Sequence, residues 1–484
     1  MLALALLAVL ASPADTLVVG GLADPLSLDP HQTTDLVAGT IVSAVCEPLV
    51  HDRLDGLLYE PALATTWATR DNRVWTFTLR AGVTFHDGTP LDADAVVANI
   101  EHLREVRSFR GSAARLGPLA VTISLDHPNA ALLSTLSQPF FALVSPHQLQ
   151  AKSPKPVGTG PFRLVAAKPG LVELRANPGY WGGTPRLRRV LFRRLPDEAA
   201  LVSALLSGEV DVTPALTLEA HPRLESSPDL VVLARPGRNL AYLALNNERP
   251  PFDDPRVRHA VALAVDRRAL VSDLLGGHGE PARNPLPPSL WGYATKTREL
   301  VHDPVTARKL LAQAGLGKGL ETTLLTVDAS RPYLPAPLRL VGRLREELAQ
   351  VGIRLRQELA GSWAEYVERG SKGQYDMAVF GWQADTMDPN DFLSALLSSE
   401  TVGSSNRSRY RSVAMDALLI QARKSTGHQE RSQVYAEAQA LFRKEMPFVP
   451  LYHVAVFTAS RRSVRGLSVG STGYLRFDKT WKDD

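Results

Sequence analysis

A chain of 484 residues that is 44% hydrophobic and 21% charged has ordinary globular composition and enough length for two or three cores. Disordered, collagenous and fibrous classes are excluded. With 54 basic against 50 acidic residues, the formal charge of +4 is too small an excess for the electrostatic footprint of a nucleic-acid binder, and no nucleic-acid partner is expected.

The chain opens MLALALLAVLASPADT, whose apolar run over residues 2–11 fits the core of a signal peptide and falls short of the roughly 20 residues that span a bilayer. Ser12 and Ala14 supply small residues for cleavage before Asp15, although no basic residue precedes the run. Residues 1–14 are therefore expected to be a signal peptide and the mature protein to be exported and soluble; the alternative is a hydrophobic first strand or helix. No cysteine follows the run to carry a lipid anchor. Cys46 is the only cysteine, so an internal disulfide and a thiolate metal cage are both impossible. Its apolar setting, IVSAVCEPLV, predicts a buried, inert thiol.

Along the chain, TLVVGG at residues 16–21 reads as a β-branched strand, followed by the proline-punctuated loop LADPLSLDPHQTTD. RVWTFTLR alternates, with Trp75, Phe77 and Leu79 on one face, which predicts a half-buried strand. The segment TPLD at residues 89–92 then resembles a helix-capping sequence, and Val96, Ile100 and Leu103 recur at helical spacing behind it. GTGPFRLV and ANPGYWGGTPRL predict tight turns around the strand LVELRA, and EAALVSALLSGEVDV predicts a helix stopped at Gly208 and followed by a strand. In DDPRVRHAVALAV, Asp254 is placed to accept orphan amides and Pro255 to open the helix, with Val257, Val261, Ala264 and Val265 as its buried stripe. The proline-rich stretches NPLPPSL and RPYLPAPL, from residues 284 and 331, predict surface connections. The pattern is α/β throughout, without repeats or low-complexity tracts.

Signatures of catalysis are absent: there is no G-x-S-x-G elbow, H-E-x-x-H helix or G-x-x-x-x-G-K-[ST] loop. GLGKG follows a helical stretch instead of a strand, so Gly315 reads as a helix C-cap and not as a phosphate loop. The 12 histidines lack metal-ligand spacing; His51 and His86 come nearest, joining a loop to a turn. The basic run RLRRVLFRR interleaves its arginines with Leu187, Val190, Leu191 and Phe192, as in a strand with one wet face. No catalytic residue, metal or cofactor is expected.

YDMAVFGWQADTMDPNDFL, residues 375–393, carries a buried-strand pattern, MAVF, that breaks at Trp382 into a loop with Asp385, Asp388 and Asp391. In open α/β sheets, ligands bind at such strand ends. An indole beside a carboxylate suits a ligand with an apolar group and a cation. Asp388 and Asn390 read as caps of the following helix. For Asp385, composition leaves a loop cap and a ligand group both open.

In this order, WTFTLRAGVTFHDGTPLDADAVV, GTGPFRL, NPGYW, the SGEVDV helix end, LALNNERPPFDDPRVRHAVALAVDR, YDMAVFGW followed by DP, and KEMPFVPLY resemble the family-5 extracellular solute-binding proteins of bacterial ABC importers, the dipeptide, oligopeptide and nickel binders. The resemblance runs from about residue 17 to residue 477. It implies a periplasmic binding protein fold, α/β, with two lobes around a hinge and an inserted extra domain. Domain I would comprise residues 15–40, 157–250 and 455–484; domain II, inserted, residues 41–156; domain III, residues 251–454.

The resemblance also implies the role: periplasmic capture of short peptides by lobe closure, as a monomer, and delivery to a membrane permease. Asp385 matches the aspartate that pairs with the peptide α-ammonium, and Trp382 the pocket tryptophan. RPYLPAPLRL corresponds to the segment carrying an arginine for the peptide carboxylate, with Arg339 as its best match, and Asn406 in SSNRSRY is a further pocket candidate. Nickel and sugar binders of the family lack the ammonium clamp, so a nickel chelate, an oligosaccharide or another small solute is the alternative ligand. A secreted hydrolase using Asp385 and Asp388 as paired carboxylates is the reading from another class.

Overall fold

A computed structural model describes residues 14–33, 35–53, 59–149, 151, 155–217, 220–470 and 473–483; apart from Ala14, the expected signal peptide lies outside them. The chain divides into two units, one ending at Ala234 and resuming at Phe457, the other running Arg235–Val456.

The first unit is built on a seven-stranded mixed sheet with Thr16–Gly21 at its centre, parallel to Arg189–Arg194 on one side and to Val212–Leu216 on the other. TLVVGG is buried along nearly its whole length because both faces of the sheet are covered. At Gly20 a Cβ would stand 2.7 Å from Leu201, so the glycine lets the helix Glu198–Ser207 lie against the strand. In Arg189–Arg194, Val190 and Phe192 point inward, while Arg193 and Arg194 are exposed and paired with Glu209 at 2.9 Å and Asp24 at 3.1 Å. The basic run is thus a sheet strand with carboxylate neighbours.

A second, antiparallel sheet of this unit orders Ala64–Thr69, Val74–Leu79, Ala120–Leu125 and Gly111–Gly117. Trp75, Phe77 and Leu79 are buried against Val96, Ile100 and Leu103 of the helix Ala93–Arg107, which opens where the Asp92 side chain accepts the Ala95 amide at 2.9 Å. Alternation and helical spacing meet in one core. The glycines of GTGPF act differently from a turn: neither has positive φ, and a Cβ on Gly158 would stand 2.2 Å from the Val45 carbonyl oxygen, so they serve close backbone approach.

The second unit has a six-stranded mixed sheet in the order Gly279–Pro281, Phe448–Val454, Asn239–Leu245, Met377–Gln383, Leu320–Val327, Ile353–Ala360. Asn239–Leu245 is buried at every residue and antiparallel to both of its neighbours, with Leu240 opposite Trp382 and Ala241 opposite Gly381. Residues 235–250, assigned to domain I from the sequence, therefore belong with this unit, because a strand buried at every residue needs a partner on each edge and a layer on each face. The helix Pro255–Ala264 opens with the Asp254 carboxylate accepting the Arg256 amide at 2.8 Å, and Val257, Val261, Ala264 and Val265 are buried. Gly315, at φ +83°, closes the helix Pro304–Gln313, with its amide on the Ala312 carbonyl at 3.0 Å.

One expectation about loops fails. Residues 284–287 are buried, with Asn284 and Leu286 both 0% exposed, because the prolines carry the chain under the surface instead of over it. Among the described residues no helix is long and apolar enough to cross a membrane.

Candidate functional site

The strand Met377–Gln383 buries its first four residues and then surfaces, leaving Gly381 and Trp382 half-buried and Gln383 exposed. Past the strand end the loop is held by two carboxylates, Asp391 half-buried and Asp388 buried. Asp391, in the first turn of the helix Asn390–Leu397, accepts the Trp382 indole N–H at 3.0 Å on one oxygen; its other oxygen accepts the amides of Asp385 at 2.9 Å and Thr386 at 2.8 Å. Burial, and then the nearby charge of Asp385, push the Asp391 carboxyl up to about 6, against the pull of its three N–H donors. Asp388, 1% exposed, accepts from Arg431 at 2.7 Å, from the Tyr435 hydroxyl at 3.2 Å and from the Asn390 amide at 3.0 Å. The remaining aspartate, Asp385, is exposed. Two carboxylates thus shape the loop and one is presented by it.

Asp385 and Trp382 line a cavity of about 610 Å³ that lies wholly within the second unit, a size suited to a small ligand. Tyr242 of the strand Asn239–Leu245 and Phe380 form one wall. Trp363, Val367 and Ser371, from one side of the helix Trp363–Lys372, form a second. Tyr333 lies on Gly381, where a Cβ would stand 2.0 Å from its ring; the glycine before Trp382 is what lets this tyrosine reach the strand. Residues 403–405 and Arg407 complete the lining. The cavity is aromatic, with one exposed carboxylate and one guanidinium.

Of the four residues expected to bind ligand, Asp385 and Trp382 come together here. Arg339 stands outside the lining, exposed on the helix Pro337–Ala349, with its guanidinium donating to the Asp273 carbonyl at 2.7 Å. Asn406 is 1% exposed and its amide is committed, donating to the carbonyls of Ser398 at 3.0 Å and Tyr410 at 2.9 Å while its oxygen accepts from Ser408 at 3.0 Å. In both cases the expected segment supplies a different residue to the cavity: Tyr333 from RPYLPAPLRL and Arg407 from SSNRSRY. Trp363, missed in the sequence, sits just after the cap residue Ser362, a signal of helix start that says nothing about a pocket.

The hydrolase geometry is not met. Asp388 is consumed in a buried ion pair whereas Asp385 is exposed, so the two carboxylates do not flank one bond. Among the described residues no group of three or more His, Cys, Asp or Glu side chains stands close enough to hold a metal ion. Cys46 is 0% exposed and burial pushes its thiol well up, which leaves it inert.

The family of bacterial extracellular solute-binding proteins, family 5 (middle), matches residues 59–404 of the chain. Heme-binding protein A of Haemophilus influenzae is 31% identical over 455 residues, covering 86% of this chain and 83% of its own. Di/tripeptide-binding protein 2 of Pseudomonas aeruginosa is 30% identical over 525 residues, covering 100% of this chain and 98% of its own. Among solved structures, HbpA2 from Haemophilus parasuis matches with a TM-score of 0.90 at 27% identity, over 97% of this chain and 100% of that one. A dipeptide-binding protein from Pseudoalteromonas in complex with Met-Leu matches with a TM-score of 0.80 at 27% identity, again over 97% and 100%. A family match over most of the chain, joined to full-length relatives at 30% identity, makes this protein a member of the bacterial extracellular solute-binding proteins of family 5.

Proposed function

We propose that the protein is the periplasmic substrate-binding component of an ABC importer, that it captures short peptides reversibly as a monomer, and that it hands them to a membrane permease without chemical change. The observation that carries this reading is the exposed carboxylate of Asp385, held beside Trp382 at an aromatic cavity by the bonds to Asp391. A peptide ammonium pairs with the carboxylate while an apolar side chain stacks on the rings. Relatives named for di- and tripeptide binding support the same ligand class. We also infer that the four-stranded sheet of the first unit belongs to an inserted domain II, residues 41–156.

Micromolar binding requires about −8 kcal/mol. A charged hydrogen bond at a peptide terminus nets roughly 1.5 to 3 kcal/mol, and ring contacts and backbone bonds supply the remainder. Asp385→Ala leaves the bound ammonium unpaired and is expected to weaken binding by about 2 to 5 kcal/mol. Calorimetry with a dipeptide and its N-acetyl analogue tests this: acetylation should cost the wild type the same energy and cost the variant nothing further. Equal affinity for both peptides in the wild type sinks the ammonium clamp.

The aromatic lining and the relative named for heme binding favour a second reading, a flat solute in the same transport role. Native mass spectrometry of the purified protein distinguishes a retained peptide from a retained pigment. Turnover of a bound peptide, followed by chromatography, would restore the hydrolase.

A further inference from the structure

Two carboxylates share the turn that follows the strand Met377–Gln383. The exposed one, on Asp385, lines the cavity; the half-buried one, on Asp391, accepts the amide of that same Asp385 at 2.9 Å. Asp391 Oδ2 also accepts the Thr386 amide at 2.8 Å, and Oδ1 accepts the Trp382 indole N–H at 3.0 Å. Three N–H donors on two oxygens call for the ionised form, which only accepts. A proton on Oδ1 turns the acceptor of the indole into a donor and leaves Trp382 facing an O–H group. The charge state of Asp391 therefore decides whether Trp382 and the loop are held together.

Like charges on one turn oppose each other, and burial adds to the cost of ionising the inner one. Burial first, and then the Asp385 charge, raise the Asp391 carboxyl to about 6. The other charged groups around the loop are engaged elsewhere. Asp388 and Arg431 are spent on each other, and Arg238, just before the neighbouring strand Asn239–Leu245, donates to the Met387 sulfur. On the elements packed against the helix Asn390–Leu397, Asp416 accepts the Ser399 amide at 2.9 Å and Glu400 pairs with Arg423 at 4.0 Å. On the cavity lining, Arg407 donates to the Val367 carbonyl and to the Ser371 hydroxyl. Asp385 is thus the charge through which a bound cation reaches Asp391.

Resting on the peptide reading above, we propose that Asp391 is a positioning residue that exchanges its proton for the cation of the ligand: a peptide ammonium arriving at Asp385 expels the proton, and the carboxylate so formed fastens Trp382 and the loop in the binding arrangement. The Asp391 O–H bond breaks, the proton leaves to water and the ammonium stays protonated, so one positive charge replaces another. In the empty site Asp391 holds its proton up to about pH 6; with the Asp385 charge neutralised by the ammonium, it gives the proton up at a lower pH. Affinity is therefore full above about pH 6 and falls as the pH drops below it.

The test is calorimetric titration of the wild type and Asp391→Asn with Ala-Leu and N-acetyl-Ala-Leu between about pH 5 and pH 7, where Ala-Leu keeps its ammonium. Buffers of different ionisation enthalpy count the protons released. The wild type is expected to bind Ala-Leu roughly 3- to 10-fold more weakly at the acidic end, and to release about half a proton per peptide midway. The acetylated peptide brings no cation and should show neither effect. Both effects should vanish in Asp391→Asn, whose amide does not titrate although its oxygen still accepts an N–H donor. If the melting profile shows that the variant does not fold, the comparison of the two peptides on the wild type decides. Affinity for Ala-Leu that is flat with pH, binding without proton release, or a pH dependence that survives Asp391→Asn overturns the role of Asp391; a penalty for acetylation then leaves the peptide reading intact. Failure of both peptides to bind the wild type at neutral pH overturns both.

Discussion

In the first unit the Trp181 indole donates to Glu47 at 2.8 Å; in the second the Trp382 indole donates to Asp391 at 3.0 Å. The surroundings of the two carboxylates differ. Glu47 is 2% exposed and its other donors are side chains, the Tyr180 hydroxyl at 2.8 Å and the Thr159 hydroxyl at 2.6 Å. It fastens the NPGYW segment to the chain around Cys46, and burial, outweighing its three hydrogen bonds, pushes its carboxyl up to about 7. Asp391 is only half-buried and takes two backbone amides from the loop that carries Asp385. The same tryptophan and carboxylate pair is a fastener where its partners are distant side chains and a presenter where they are the amides of a loop with an exposed charge. A tryptophan with an acidic partner is therefore not evidence of a ligand site until the other oxygen is followed.

The largest effect that would sharpen this contrast is expected on the presenting side. Arg431→Met strands the buried Asp388 carboxylate beneath the loop and should destabilise the protein by about 3 to 5 kcal/mol in urea unfolding. A loss below about 1 kcal/mol would mean that the loop does not depend on this pair.

On the fastening side, the effect should be smaller and pH-dependent. Glu47 holds its proton to about 7 in the folded chain against an ordinary value of 4.5, so between those values the native state binds a proton that the unfolded state has released. Its contribution to stability is full below about 4.5 and is lost as the pH rises through 7. Glu47→Gln removes that loss, so the melting temperature of the variant relative to wild type should climb from pH 5 to pH 8, by the equivalent of about 1 to 3 kcal/mol. A difference independent of pH would show that Glu47 does not titrate there.

The smallest effect is expected at Arg339, which stands outside the cavity. Arg339→Ala should change peptide affinity less than about twofold and stability by less than about 0.5 kcal/mol, since its guanidinium is exposed on one carbonyl. A tenfold loss of affinity in calorimetry would return Arg339 to the site.

The α/β class, the alternating strand around Trp75, Phe77 and Leu79, the helix opening at Asp254 and Pro255, the stop at Gly315 and the strand MAVF were all legible in the sequence. Each is written within a few residues, as a periodicity or a cap, and local sterics and hydrogen bonding decide it. The segments that reach the cavity were legible too, but in two of them the side chain that lines it is not the one expected. Arg407 reaches the cavity because Asn406 beside it is spent on the Ser398 and Tyr410 carbonyls, and Tyr333 because Gly381, on a strand 48 residues further on, leaves its ring room. The same holds for residues 235–250, whose unit was decided by the two strands that flank Asn239–Leu245, and for residues 284–287, which sink under the surface. Short-range pattern says which elements form. Which side chain of a loop lines a cavity depends on which of its neighbours' hydrogen bonds are already taken by groups far away in sequence, and only the folded chain settles that.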